Sequence, residues 1–289
     1  MVASATMFGL MAFSAKLASD RLSGAQVAMI RFGVGIVPVL LVGRYRRAAT
    51  KFERLDLLLY RGIFGGLAVL LYFLAIEHTS VGTATLLNYT APVWSGIFSM
   101  LFIGERFSAK VLIALPVAFT GVFLVVHANA PPGGGAGFGR WELTAVLSAV
   151  ASGAAVTAMR AARRGENSWA VYASFCLLGL FVTMPLGVWT WRTPVGREWI
   201  FLAAASLLAI GAQLTMTFSL RWVDAMTVGV ISQLAVLISM ALGSLFLGEV
   251  ITGLEAVGAA LTIGGVVGVV YVTSLSKPRA AAEQVVPEA

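Results

Sequence analysis

An all-α integral membrane protein is the fold class this sequence predicts, with ten transmembrane helices forming two inverted five-helix repeats around a central cavity. Three observations predict it. The 289 residues are 59% hydrophobic and 11% charged, with a mean hydropathy of +0.90; soluble domains run near 45–50% apolar and about 25% charged. Apolar stretches long enough to span recur along the chain, about 20 residues being needed to cross the hydrocarbon core as a helix. The second half of the chain also repeats the first at a constant offset, which carries Thr83 onto Thr227.

The ten helices are read at 1–19, 25–43, 57–77, 81–103, 109–127, 141–160, 169–191, 198–219, 225–247 and 253–274. Each is closed by charge, by Gly or Pro, or by a polar cluster. The segments carry most of the 31 glycines, together with many Ala and Ser, and small residues let helices approach closely in lipid. Transmembrane strands are about ten residues long and alternate in character; these stretches do neither. Met1 opens almost directly into apolar sequence, so 1–19 is read as a membrane helix and not as a cleaved signal peptide. The lone cysteine, Cys176, excludes an internal disulfide framework.

The net charge is +7, and the placement of the basic residues orients the chain. With the N-terminus cytoplasmic, the inner loops hold Arg44, Arg46, Arg47, Lys51, Arg54, Arg163 and Arg164, while the outer side holds only Arg21, Arg140, Arg192 and Arg197. Both termini are therefore expected inside. Trp141, Trp169, Trp191, Trp199 and Trp222 fall at helix ends, as interfacial aromatics do.

Thr83–Glu105 aligns without gaps to Thr227–Glu249, and both end in F-x-G-E. Five helices per repeat is an odd number, so the second repeat must cross in the opposite sense. In inverted-repeat carriers the substrate site lies near mid-membrane at the repeat interface. The expected domains are 1–127 and 141–274, joined by a Gly-rich external linker at 128–140 and followed by a cytoplasmic tail at 275–289. The linker's glycines lack the preceding strand and the following GK[ST] of a phosphate loop.

The stretch Ala75–Ala84 with Thr79-Ser80, followed by Pro92, Gly104-Glu105 and Gly121-Val122, resembles the EamA repeat of the drug/metabolite transporter superfamily. Lys16 and Arg31 also fall where that family places basic residues. The resemblance covers both halves, although Val236 stands where Pro92 would repeat and Val223-Asp224 replaces Thr79-Ser80. It implies a bacterial inner-membrane carrier of small metabolites, and the chain looks most like YddG-type exporters of aromatic and other neutral amino acids.

Polar and aromatic side chains inside membrane helices are the candidate substrate contacts. They are Asn88, Tyr89 and Trp94 on the fourth helix, Gln233 on the ninth, Gln213 on the eighth, Tyr72 and His78 on the third, and Met11 on the first. Each has a plainer alternative: the amides as interhelical glue, Met11 as packing, Trp94 as a lipid-facing ring. Pro92, which frees a carbonyl in mid-helix, is a kink or hinge. Lys16 and its repeat mate Arg160, with Glu105 and Glu249, are read as gate or structural residues. No Asp or Glu lies deep in a predicted helix, so the cavity is expected to be neutral and suited to a zwitterion with an apolar side chain. Cationic drug efflux is the second reading and a non-transporting assembly subunit the third. An enzyme is disfavoured, since H-E-x-x-H, G-x-S-x-G and metal-ligand spacings are absent; no cofactor, metal or nucleic-acid partner is expected.

Overall fold

The computed structural model describes residues 1–41, 54–103, 111–128, 139–162, 168–219 and 231–275. These form eleven helices: α1 (Val2–Ala18), α2 (Gly24–Leu41), α3 (Leu55–His78), α4 (Val81–Asn88), α5 (Ala91–Ile103), α6 (Val111–Ala128), α7 (Arg140–Ala162), α8 (Ser168–Trp189), α9 (Glu198–Ser219), α10 (Leu234–Leu247) and α11 (Gly253–Leu275). There is no strand among the described residues. Six helices are long and apolar enough to cross a bilayer: Gly24–Leu41, Leu55–His78, Arg140–Met159, Trp169–Trp189, Glu198–Met216 and Gly253–Val272. Residues 129–138 of the expected linker, the loop at 42–53, Glu105, residues 225–230 of the expected ninth helix and the tail from 276 lie outside the described residues.

The bundle is apolar on its outside and small on its inside. Leu41, Phe181, Trp189, Leu245 and Phe246 point outward and are largely exposed, whereas Ala12, Ala15, Ala18, Ala205 and Ala212 are fully buried. That inversion of the soluble pattern suits lipid, where helix association depends on close packing. α3 packs on α7 and α8, α1 on α9 and α10, α2 on α8 and α9, α5 on α7, α4 on α7 and α10, and α6 on α11. The largest core joins Met11, Phe73, Leu86, Val126, Ala145, Leu202 and Val236, residues drawn from seven helices.

One sequence expectation needs correction. The fourth helix is not continuous over 81–103: it breaks after Asn88 and resumes at Ala91. Pro92 is the second residue of α5, where its missing N–H leaves no helical bond undone. Thr90 closes the end of α4 by donating both its backbone N–H (3.2 Å) and its hydroxyl (2.7 Å) to the Leu87 carbonyl. Asn88 and Tyr89 are thus parted from Trp94, which lies on α5. A turn also falls at Gln233, immediately before α10. Tyr89 and Gln233 are separated by 144 residues and touch: the Gln233 amide donates to the Tyr89 carbonyl at 3.4 Å.

Other contacts occur in pairs whose members are related by this 144-residue offset. The Ser4 hydroxyl donates to the Ala212 carbonyl at 2.8 Å, and the Ser148 hydroxyl donates to the Ala68 carbonyl at 2.8 Å. Gly9 lies against Ile238, and Gly153 lies against Trp94; a Cβ on either glycine would fall within 2.9 Å of its neighbour's side chain.

One end of the bundle is closed by polar bonds. The Lys16 ammonium donates to the carbonyls of Ile76 (2.8 Å) and Thr79 (2.6 Å), satisfying the C-terminus of α3. The Ser80 hydroxyl caps α4 by accepting from the Thr83 N–H at 3.0 Å. Glu249 accepts from the Val81 N–H at 2.8 Å, which places a carboxylate on the positive end of the same helix. The Thr83 hydroxyl donates to Glu255.

Candidate functional site

α2, α8 and α9 meet around a small cavity, about 10 Å³, lined by Arg31, Phe32, Tyr172, Phe175, Cys176, Ala209, Ile210 and Gln213. A space of that size holds about one water. The wall is aromatic, and it is not neutral. Arg31 sits in the first half of α2 and is buried. Its guanidinium carbon lies 5.3 Å from the ring centre of Phe32, 5.7 Å from that of Phe73 and 5.9 Å from that of Phe175. The neutral hollow expected from the lack of intramembrane carboxylates therefore fails. The absence of acids did not imply the absence of charge.

A second arginine stands beside the first. Arg61, in the first half of α3, is also buried, and its guanidinium carbon lies 4.2 Å from the Phe175 ring centre. Gly65, one turn further along α3, leaves the room this stacking needs: a Cβ there would run into the Arg61 Nη1 and come within 2.9 Å of the Phe175 ring. The Arg61 Nε has no hydrogen-bond partner among the described residues. Three of the described carboxylates are engaged elsewhere. Glu198 pairs with Arg21 at 2.7 Å, Asp56 with Arg54 at 2.8 Å, and Glu77 accepts from the Gly24 N–H at 2.7 Å.

The candidate residues divide by place. Gln213 lines the cavity. Tyr72 and Tyr89 lie within electrostatic reach of Arg31, and the Tyr72 hydroxyl is hydrogen-bonded to that of Thr85 at 2.8 Å. Asn88 and Gln233 are away from the cavity wall: the Asn88 Oδ1 accepts from Ser148 at 2.9 Å and from Ser152 at 3.4 Å, tying α4 to α7. Met11 is buried in the large core. His78 stacks on Trp141, with 3.6 Å between ring centres, at the end of α3. Trp94 packs edge-on to Phe119 of α6 at 5.5 Å and lies against Gly153 of α7. Arg160 lies on α7. Lys16 and Glu249 hold helix ends, as described above.

Sequence reasoning passed over Arg61, Tyr172 and Phe175. Arg61 carried a signal, a cation inside an apolar helix. Phe175 carried none, being one of 17 phenylalanines in an apolar chain.

The EamA-like transporter family matches this chain twice, over residues 1–127 and 139–271. The chain is 28% identical over 257 residues to the pseudopaline exporter CntI of Pseudomonas aeruginosa, covering 89% of both chains. It is 26% identical over 210 residues to an uncharacterized transporter of Archaeoglobus fulgidus, covering 72% of this chain and 74% of that one. Solute carrier family 35 member G1 of Homo sapiens is 23% identical over 245 residues, covering 81% of this chain and 67% of the relative. A solved crystal structure, 24% identical, shares the fold with a TM-score of 0.57 over 92% of this chain and 96% of its own. With the all-helical bundle and its lipid-suited exterior, these matches make the chain a multi-pass membrane protein that belongs to the EamA-like transporter family.

Proposed function

We propose that this protein exports a small amino acid, or a metabolite built on one, across the inner (plasma) membrane by alternating access. The observation that carries the proposal is the position of the cavity. Arg31 and Phe32 come from the first of the two family-matched segments, and Tyr172, Phe175, Cys176 and Gln213 come from the second. A site on the seam of two repeats is where an inverted-repeat carrier binds its substrate. In this reading the one-water cavity widens as the halves rock apart, and Arg31 then takes the substrate carboxylate and Gln213 a second polar group. Phe32, Phe175 and Tyr172 receive an apolar or aromatic side chain. Drug efflux is the weaker reading, because a cationic drug would meet Arg31.

The halves are proposed to be inverted relative to each other, with both termini cytoplasmic. Support comes from the paired contacts Ser4–Ala212 and Ser148–Ala68, which a two-fold axis in the membrane plane would generate from one another. On this orientation Lys16, Glu249 and Thr83 close the outer end. Their sequence mates Arg160, Glu105 and Thr227 are then the residues to close the inner end in the opposite state. Asn88 and Gln233, whose bonds bridge helices of the two halves, are the contacts that rocking would exchange.

The test is flux of leucine and phenylalanine from proteoliposomes, with and without an imposed pH gradient. Saturable flux is expected. Folded protein that moves no neutral amino acid under either condition would contradict the amino-acid reading.

A further inference from the structure

Two buried guanidinium groups lie near one phenylalanine ring; among the described residues neither is in an ion pair, and the Arg61 Nε has no hydrogen-bond partner. A buried charge is costly unless it is paired. The aromatic faces of Phe32, Phe73 and Phe175 return part of that cost. They do not use the planar N–H fork, whose geometry matches carboxylates. The like charges also repel, since both lie within 6 Å of the Phe175 ring centre, Arg31 at 5.9 Å and Arg61 at 4.2 Å. A single substrate carboxylate would leave one of them uncompensated. Arg31 faces the cavity directly, and the Arg61 Nε is left without a partner beside it.

We infer that Arg31 and Arg61 form a two-point anion cradle whose ligand is a small metabolite bearing two carboxylates on an apolar body. The inference rests on the transporter reading for the identity of the site and deepens it by naming the substrate's charge. Arg31 holds one carboxylate at the cavity and Arg61 the other, while the Phe175 ring near both guanidiniums meets the apolar body. Neutral amino acids engage Arg31 alone and bind more weakly. Gly65 belongs to the cradle because it keeps the Arg61 guanidinium against Phe175.

The experiment uses the purified full chain in detergent and three probes with one aromatic body: benzylsuccinate with two carboxylates, 3-phenylpropionate with one, and phenethylamine with none. Affinities are measured by calorimetry, and flux of the same probes is measured in proteoliposomes. The wild type is expected to bind benzylsuccinate at least tenfold more tightly than 3-phenylpropionate, and phenethylamine not at all. Arg61→Gln should bring benzylsuccinate down to the 3-phenylpropionate affinity and leave 3-phenylpropionate unchanged. Arg31→Gln should weaken both. A purely structural, ring-stacking Arg61 would leave the ratio of the two acids unchanged in folded Arg61→Gln protein, and that result overturns the inference. If the variants do not fold, the wild-type ratio decides: equal affinities for the two acids overturn it. Tight benzylsuccinate binding with no flux of any probe keeps the cradle and removes the transport reading. Amino-acid flux without preference for the diacid does the reverse.

Discussion

Gly65 sets what Arg61 can do. Replacing it with Ala puts a methyl group where the Arg61 Nη1 lies and presses on the Phe175 ring. The flexible arginine yields first and the Phe175 ring must also shift, so Gly65→Ala should fold with a loss of about 1–3 kcal/mol. It should also lose benzylsuccinate affinity nearly as fully as Arg61→Gln, which calorimetry beside thermal unfolding would check. Ser148→Ala removes one interhelical hydroxyl, and a loss of about 0.6 kcal/mol is expected in the same unfolding assay. Residue types were the readable part of this site. Arg31, Gln213, Tyr72 and Tyr89 stand out in an apolar sequence because polar atoms there demand a reason. Their partners were not readable. Asn88 and Gln233 are amides like Gln213, and their bonds across helices depend on the packing of α4 against α7 and α10, which the sequence does not display.

The break between α4 and α5 follows from local chemistry. Pro92 cannot donate to the Asn88 carbonyl, and Thr90 offers its hydroxyl to close α4. Hydropathy alone could not reveal the break, because the residues on either side of it are apolar enough to read as one span. Pro92→Ala restores the missing donor and should draw the two segments toward one helix. The expected outcome is unchanged or higher thermal stability with slower leucine flux; equal flux would make Pro92 a packing residue only. The end of α3 is a second case. Its carbonyls are satisfied by the Lys16 ammonium from another helix, at 2.8 and 2.6 Å. Lys16→Met leaves those carbonyls buried without a donor, and a loss of about 1–3 kcal/mol is expected in thermal unfolding. Sequence alone marked Lys16 as a charge near a helix end, and the three-dimensional partner supplied the reason for it.

Across the molecule, the all-helical class, membrane character and family were legible because they rest on composition and on long apolar runs, which tolerate errors of several residues at each boundary. The cationic wall of the cavity was not, since it depends on which faces of α2, α3, α8 and α9 turn toward each other. The α6–α11 contact shows how regular that arrangement is: Gly121 meets Thr262, and Gly265 meets Ala118. Leucine at either glycine should cost about 1–3 kcal/mol, and the two losses should be similar if the contacts are related by symmetry. The inverted arrangement itself is tested most directly by labelling single cysteines in a Cys176→Ala background with a membrane-impermeant thiol reagent on intact cells. Arg54→Cys, just before α3, and Arg197→Cys, just before α9, report the start of corresponding helices in the two halves. The expected result is labelling of position 197 from outside, and of position 54 only after the membrane is opened. Labelling of both from the same side would contradict two halves that cross the membrane in opposite senses.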